Sequence, residues 1–335
     1  MINFTGERFV PTESGEIRYE HMHRYAWVTR FCQGKRVLDI ACGEGYGSAL
    51  LAAHADSVMG VDIAHEAVLH AREKYATKGN LQFLQGSATA IPLQAHSVDV
   101  VVSFETVEHL PQQSEMLADI RRVLRPDGLL IISSPNKKVY SDDRNYVNEF
   151  HVKELYFEEF DALLREQFSA VTYLGQRLLT GSVVAPMGQQ GAYYEAIGLK
   201  GDHLVKQTPP STGIMYFVAV CAADDGHLPK TDPSFFVDED IDLYAEAQKS
   251  LRWASTLDLE HRDLDKRHAQ LRAEFEDRTA WALQLDAERA RLVAEVERAS
   301  GNSESPKLKD ELALRLRENA ELEKKVADRS RQADI

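Results

Sequence analysis

Two stretches of the chain hold residue types that do chemistry. The first is V-L-D-I-A-C-G-E-G-Y-G, in which Asp39 precedes Gly43, Gly45 and Gly47. Glycines between a strand and a helix let the backbone approach a ligand and take positive φ, and the helix N-terminus behind them favours electron-rich groups. Asp62 closes the next β-branched run, 19 residues after Gly43, where a carboxylate accepts hydrogen bonds from both hydroxyls of a ribose. A dinucleotide site carries G-x-G-x-x-G around a pyrophosphate. Here the spacing is G-x-G-x-G, and the negative charge of Asp39 repels a pyrophosphate but attracts an ammonium or sulfonium. The loop therefore suits a cationic nucleoside.

The second stretch is S-F-E-T-V-E-H-L-P at 103–111. Ligands of open α/β sheets sit at the carboxyl ends of the strands, so Phe104, Glu105, Glu108 and His109 border the pocket. His109 is the preferred base, because imidazole titrates near neutrality. With His151 of N-E-F-H-V-K, the set Glu105, Glu108 and His109 offers two carboxylates and two imidazoles that can hold a divalent ion clamping neighbouring hydroxyls. The same residues also serve metal-free catalysis. A third use is capping, by Glu108 and His109 for a helix near Pro111 and by His151 for one near Lys153.

These side chains need a scaffold, and the hydrophobic pattern supplies it. From Arg36 to about Ser133, short β-branched runs alternate with helical-period segments, as in βαβ units on a parallel sheet. Strands are predicted at 36–41, 57–62, 81–85, 98–103 and 129–134, with helices near 46–54, 64–76 and 112–124, the last stopped by Pro126 and Gly128. An amphipathic helix is expected over 152–168, strands over 169–175 and 213–222, and an ambiguous Gly-rich stretch over about 177–212. The front segment 15–31 reads as a helix, with Tyr19, His23 and Arg24 as residues able to face a substrate. Lys137, Lys138 and Arg144, after the fifth strand, are able to meet a phosphate or acidic sugar.

Taken together, D-x-x-x-G-x-G-x-G at 39–47, V-D-I at 61–63, G-S-A-T-A-I-P-L at 86–93, V-D-V-V-V-S-F at 98–104 and L-R-P-D-G-L-L at 124–130 resemble the class I S-adenosylmethionine-dependent methyltransferases over roughly residues 30–222. That resemblance implies an α/β fold with a Rossmann-like, seven-stranded, mostly parallel sheet and helices on both faces. It implies S-adenosyl-L-methionine as cofactor, with Asp39, Gly43, Gly45 and Gly47 at its methionyl end, Asp62 at the ribose, Ser87 and Ala88 at the adenine, and Ile63 and Phe104 also among the cofactor-binding residues. Many members carry an Asp where Ser87 stands, though a serine hydroxyl can accept the same hydrogen bond. The front helix would act as a lid. The Glu105, Glu108, His109 and His151 spacing looks like the metal site of small-RNA 3′-end methyltransferases, and is similar to a segment of ubiquinone-pathway O-methyltransferases. F-T-G-E-R-F-V-P, F-E-T-V-E-H-L, S-P-N-K and N-E-F-H-V-K-E-L resemble methyltransferases of bacterial surface polysaccharide biosynthesis, some of which carry coiled-coil extensions. A sugar hydroxyl on a polysaccharide or lipid-linked glycan is thus the favoured acceptor. A small quinone-like metabolite, an RNA, and a non-catalytic nucleoside-binding scaffold are the alternatives.

The 335 residues carry 39 basic and 53 acidic side chains, a net charge of −14. That balance opposes DNA and anionic membranes as partners, which both reward a basic surface. Residues 224–335 hold 19 basic and 27 acidic side chains, so −8 of the total belongs to the tail. Within it Leu257, Leu264, Leu271, Leu285 and Leu292 recur with heptad spacing, which argues for a coiled coil that joins copies of the chain or a partner protein. A solvated single helix is the competing reading. The expected organisation is a lid segment 1–35, a catalytic domain 36–223, an acidic linker 224–242, a coiled coil 243–299 broken by S-G-N-S-E-S-P, and a second helical piece 306–330. Cys32, Cys42 and Cys221 show no metal-ligand spacing or even pairing. With neither a signal peptide nor a long apolar run in view, a cytoplasmic location is expected, peripheral to a membrane-bound glycan assembly complex.

Overall fold

The structure is a computed structural model; it describes residues 10, 15–179, 197–200, 203–206, 213–238, 240–301 and 306–333. Two compact units divide the chain, Met1–Glu246 and Ala247–Ile335.

In the first unit the described elements run α1 (Glu16–Val28), β1 (Arg36–Ile40), α2 (Tyr46–Leu51), β2 (Ser57–Asp62), α3 (His65–Lys74), β3 (Leu81–Gln85), β4 (Val98–Ser103), α4 (Gln113–Val123), β5 (Leu124–Pro135), α5 (Phe157–Arg165), β6 (Ala170–Gln176), β7 (Ile197–Lys200), β8 (His203–Lys206) and β9 (Tyr216–Ala222). Seven strands form one sheet in the order β3-β2-β1-β4-β5-β9-β6, and β7 and β8 form a separate antiparallel pair. All neighbours in the large sheet are parallel except those of β9, which runs antiparallel to β5 and β6. The Rossmann-like sheet implied by the motifs is the one present.

Successive strand side chains point to opposite faces, and the core divides accordingly. Val37, Val100, Val102, Ile131, Val218 and Val220 pack with Tyr25 and Trp27 of α1, Leu51 of α2 and Val68 of α3. Leu38, Val101, Leu130, Ile132 and Ala219 pack with Met116 and Ile120 of α4 and Phe160 and Leu164 of α5. Apolar residues on both strand faces are what helices on both sides of a parallel sheet require.

Two boundaries differ from the pattern-based expectation. The fifth strand, expected over 129–134, begins already at Leu124, directly after α4, because that fully buried residue pairs with Val98. The expected helix over 152–168 is only α5. The amides of Val152 and Lys153 donate to the Glu108 carbonyl instead, and a Tyr156–Glu159 capping box starts the helix at Phe157. Of the ambiguous stretch 177–212, residues 180–196, 201–202 and 207–212 lie outside the described residues.

The second unit consists of most of α6 (Leu243–Gly301) and α7 (Pro306–Ala333). Pro306, with a fixed φ and no N–H to give, stands at the first helical position where proline is favoured. Arg289, Leu292 and Val296 of α6 line a shallow cleft with Leu316 and Asn319 of α7, while Leu257, Leu264 and Leu271 are 48%, 68% and 65% exposed.

Candidate active site

The sequence order of strands reverses between β1 and β4, and ligands of open α/β sheets bind at such a switch point. The glycine loop leaves β1 there. Gly45 sits at φ +84°, a left-handed conformation that glycine takes without strain, and a Cβ on Gly47 would lie 2.0 Å from the Tyr25 ring. Gly43, by contrast, has nothing within 4 Å of a Cβ position, so one side of the loop is open to a ligand. Asp62 orders this turn: its Oδ2 accepts from the Gly43 amide at 2.8 Å and its Oδ1 from the Ala64 amide at 2.9 Å. Remaining lone pairs on both oxygens are available to ribose hydroxyls. Ile63 beside it is 69% exposed, an apolar surface next to the carboxylate. Ser87 is engaged locally, its Oγ 2.8 Å from Thr89 Oγ1, and Ala88 is partly buried against the core.

Asp39 is fully buried, with Tyr25 Oη donating to Oδ1 at 3.0 Å and Ser48 Oγ to Oδ2 at 2.6 Å. Burial pushes its carboxyl up to about 7, against the pull of those two hydrogen bonds. The Tyr25–Asp39 bond joins α1 to the loop, a link across 14 residues that no local pattern announces.

On the acceptor side Glu108 and His109 lie in a single 3₁₀ turn, Val107–His109, and are followed by α4 only from Gln113. His151 precedes α5 by more than a turn, so none of the three stands at a helix cap. The Glu108 carbonyl accepts the Val152 and Lys153 amides, and Gln113 Nε2 donates to the carbonyls of Val107 and Lys153. Those bonds bring the His151 turn onto the Glu108 turn, with the His109 and His151 rings 5.0 Å apart. His109 Nδ1 donates to the Phe150 carbonyl at 2.9 Å, which leaves Nε2 facing Glu108 Oε1 at 3.9 Å. His151 Nδ1 lies 2.6 Å from Glu154 Oε1 and its Nε2 3.0 Å from Asn148 Nδ2. Glu108 is fully buried with no hydrogen-bond partner on either carboxylate oxygen among the described residues, and burial, then the charge of Glu105, hold its carboxyl well above the usual range. Ligand atoms of Glu108, His109 and His151 lie within 4.8 Å of one another.

Glu105 is not part of that trio. It takes φ +49°, accepts from Ser133 Oγ at 2.6 Å and lies 3.7 Å from Arg24 Nη1. Phe104 packs edge-on against Tyr25, ring centroids 5.1 Å apart. Of the other sequence candidates, Tyr19 and His23 pack on Phe236, and Arg24 is buried beside Phe104. Lys138 pairs with Asp143, Lys137 lies over Tyr156, and Arg144 lies over Tyr140 and Tyr146. Tyr140, stacked on His151, and Glu154, 2.6 Å from its Nδ1, adjoin the cluster, and motif spacing did not single them out. The His151–Glu154 separation of three was the available signal.

Fold and site thus define a Rossmann-like domain with an open glycine loop at its switch point and a buried carboxylate–imidazole cluster. Residues 38–132 match the family model described as a methyltransferase domain. The chain is 33% identical over 248 residues to a probable S-adenosylmethionine-dependent methyltransferase of Mycolicibacterium smegmatis, covering 72% of this chain and 93% of that one. It is 37% identical over 167 residues to one from Mycobacterium tuberculosis, covering 49% of this chain and 60% of that relative's length. It is also 32% identical to the ubiquinone biosynthesis O-methyltransferase of Albidiferax ferrireducens, covering 37% of this chain and 52% of that one. The chain belongs to the S-adenosylmethionine-dependent methyltransferases, and S-adenosylmethionine is its cofactor. The open face of Gly43, the fixed Asp62 carboxylate and the exposed Ile63 fit that group.

Proposed function

We propose that the chain transfers a methyl group to a hydroxyl on a sugar of a polysaccharide or lipid-linked glycan. When bound, the cofactor supplies an electrophilic methyl on a sulfonium. The protein then has to hold the hydroxyl in line with that methyl and take its proton. The observation carrying this reading is the fixed tautomer of His109: with Nδ1–H given to Phe150, Nε2 is a proton acceptor at the cluster. Glu108, whose carboxyl burial holds well above the usual range, donates to the same oxygen in its protonated form. The aromatic faces of Tyr140 and Tyr146 beside His151 suit the C–H surface of a sugar ring, and the resemblance to polysaccharide methyltransferases points the same way.

In a second reading Glu108, His109 and His151 hold a divalent cation that activates the hydroxyl. The unpartnered Glu108 oxygens favour it, and both imidazoles have an oxygen acceptor at Nδ1, as metal-bound histidines do. A labelled-methyl assay against glycan, lipid, quinone and RNA fractions of the producing cell tests the function. Label in O-methyl sugars after acid hydrolysis is expected. Label confined to a quinone or RNA, or none from a chain that binds cofactor, contradicts the sugar assignment. Loss of transfer on chelation with recovery on metal add-back selects the cation reading.

A further inference from the structure

The loop after β5 carries an exposed cation, Arg144, that no described carboxylate neutralises. Its guanidinium lies over the Tyr140 and Tyr146 rings, 5.6 and 5.2 Å from their centroids. Its one hydrogen bond among the described residues runs from Nη1 to the Met215 sulfur at 3.9 Å, a weak acceptor. Nearby acids are engaged elsewhere: Asp143 takes Lys138 Nζ at 2.6 Å, Asp142 takes the Tyr156 hydroxyl at 3.0 Å, and Glu154 is held by His151 and Ser141. Arg36, by contrast, grips Asp99, and Arg165 grips Asp161. The Nε–Nη2 edge of a guanidinium meets both oxygens of a carboxylate or phosphate. On Arg144 that edge has no protein acceptor among the described residues.

The loop also holds this guanidinium in place. Asn145 takes φ +48°, a left-handed conformation that asparagine tolerates, and the turn lets the Tyr146 amide donate to the Ser141 carbonyl at 3.0 Å. Tyr146 thereby comes to 5.8 Å from Tyr140, giving Arg144 two rings to lie over. A guanidinium already held on aromatic faces has less freedom to lose on binding. Tyr140 also stacks on His151 at 5.4 Å, and the His151 ring in turn lies 5.0 Å from that of His109. A single aromatic ring thus separates the cation from the carboxylate–imidazole cluster, so one acceptor can offer a hydroxyl to the cluster and an anion to Arg144.

We propose that Arg144 binds an oxyanion carried by the acceptor beside the hydroxyl that is methylated. The inference deepens the sugar reading and rests on it for the chemical class: a sugar bearing a carboxylate or a phosphate. With a net charge of −14 the chain repels such an acceptor at long range, so docking needs a local cation. Lys138 is matched by Asp143, whereas Arg144 is not matched.

The test is calorimetric binding to the full chain, saturated with S-adenosylhomocysteine, of methyl glucoside, methyl glucuronide and glucose 1-phosphate. Wild type should bind the glucuronide or the phosphate about 5- to 20-fold more tightly than the neutral glucoside, and the tighter of the two tells a carboxylate acceptor from a phosphate one. In Arg144→Gln that ratio should fall toward one with glucoside affinity unchanged. Arg144→Lys, which keeps the charge but not the planar fork, should fall between, and Lys138→Gln should keep the wild-type ratio. A wild-type ratio near one for both anions, or a ratio that survives Arg144→Gln, overturns the proposal. So does a ratio lost equally in Lys138→Gln, which indicates a diffuse field rather than a site. Salicylate against salicyl alcohol separates this failure from that of the sugar reading. An Arg144-dependent preference for salicylate, with all three sugars unbound, keeps the oxyanion site and rejects the sugar; no binding of any of the three anions rejects the oxyanion site.

Discussion

Asp39 shows how a single residue sets the behaviour of the cofactor loop. Its carboxyl is pushed up to about 7 by burial, so the ligand-free site holds a proton below that pH. A bound ammonium and sulfonium stabilise the ionised form, and binding therefore releases the proton. The sign follows from linkage: affinity for S-adenosylhomocysteine, which brings the ammonium alone, should rise several-fold between about pH 6 and pH 8. Titrations in buffers of different ionisation enthalpy should show proton release near neutrality. Asp39→Asn should flatten the pH profile, and an equally steep profile in that variant contradicts the assignment. Glu20, accepting from Tyr216 Oη at 2.9 Å, is likewise held up at about 7 by burial. For both groups the ordinary pKa is near 4, so their contribution to ligand-free stability is fully present below that and is lost as pH rises through 7.

At the scale of elements, α1 is clasped from outside. Arg18 pairs with Asp238 at 2.7 Å, Tyr19 Oη donates to the Ile241 carbonyl, and Phe236 packs edge-on to Tyr19 and stacked on His23. The inner face of the same helix carries Tyr25 and Arg24 into the pocket. Phe236→Ala should lower the local opening free energy of residues 16–28 by about 1–2 kcal/mol, read as faster amide exchange there and unchanged exchange in β4 and β5. Uniform acceleration through the whole sheet would mean the contact supports the fold rather than the lid. Such long-range pairs explain what the sequence showed and hid. Strand periods and the loop glycines were legible because they obey local rules, and so was the Glu108–His109 pair. Arg24 with Gln176 and Tyr216, the Tyr25–Asp39 bond and the contacts of Phe236, Asp238 and Ile241 with α1 join segments 14 to 222 residues apart, and no spacing rule reaches that far. The start of β5 was misplaced because Leu124 pairs with Val98 ahead of the Pro–Gly turn signal.

For the whole molecule, the residues proposed for cofactor and acceptor all lie in the first compact unit, and the second is helical and charge-dense. At 1.5 Å per residue α6 spans on the order of 90 Å, and its exposed Leu257, Leu264 and Leu271 make the stripe that a coiled-coil partner would cover. Deleting residues 247–335 should leave S-adenosylhomocysteine affinity within about twofold while reducing an oligomer to a monomer by light scattering. A full-length chain that is already monomeric at tens of micromolar would contradict assembly through the tail. No described helix is long and apolar enough to cross a membrane.

The most direct test of the central claim is single-turnover transfer of a labelled methyl group to the glycan acceptor by wild type and His109→Ala, with S-adenosylhomocysteine affinity measured on both. The account predicts a fall in the transfer rate of about 10²- to 10⁴-fold with affinity within about twofold. Full transfer by His109→Ala would contradict it.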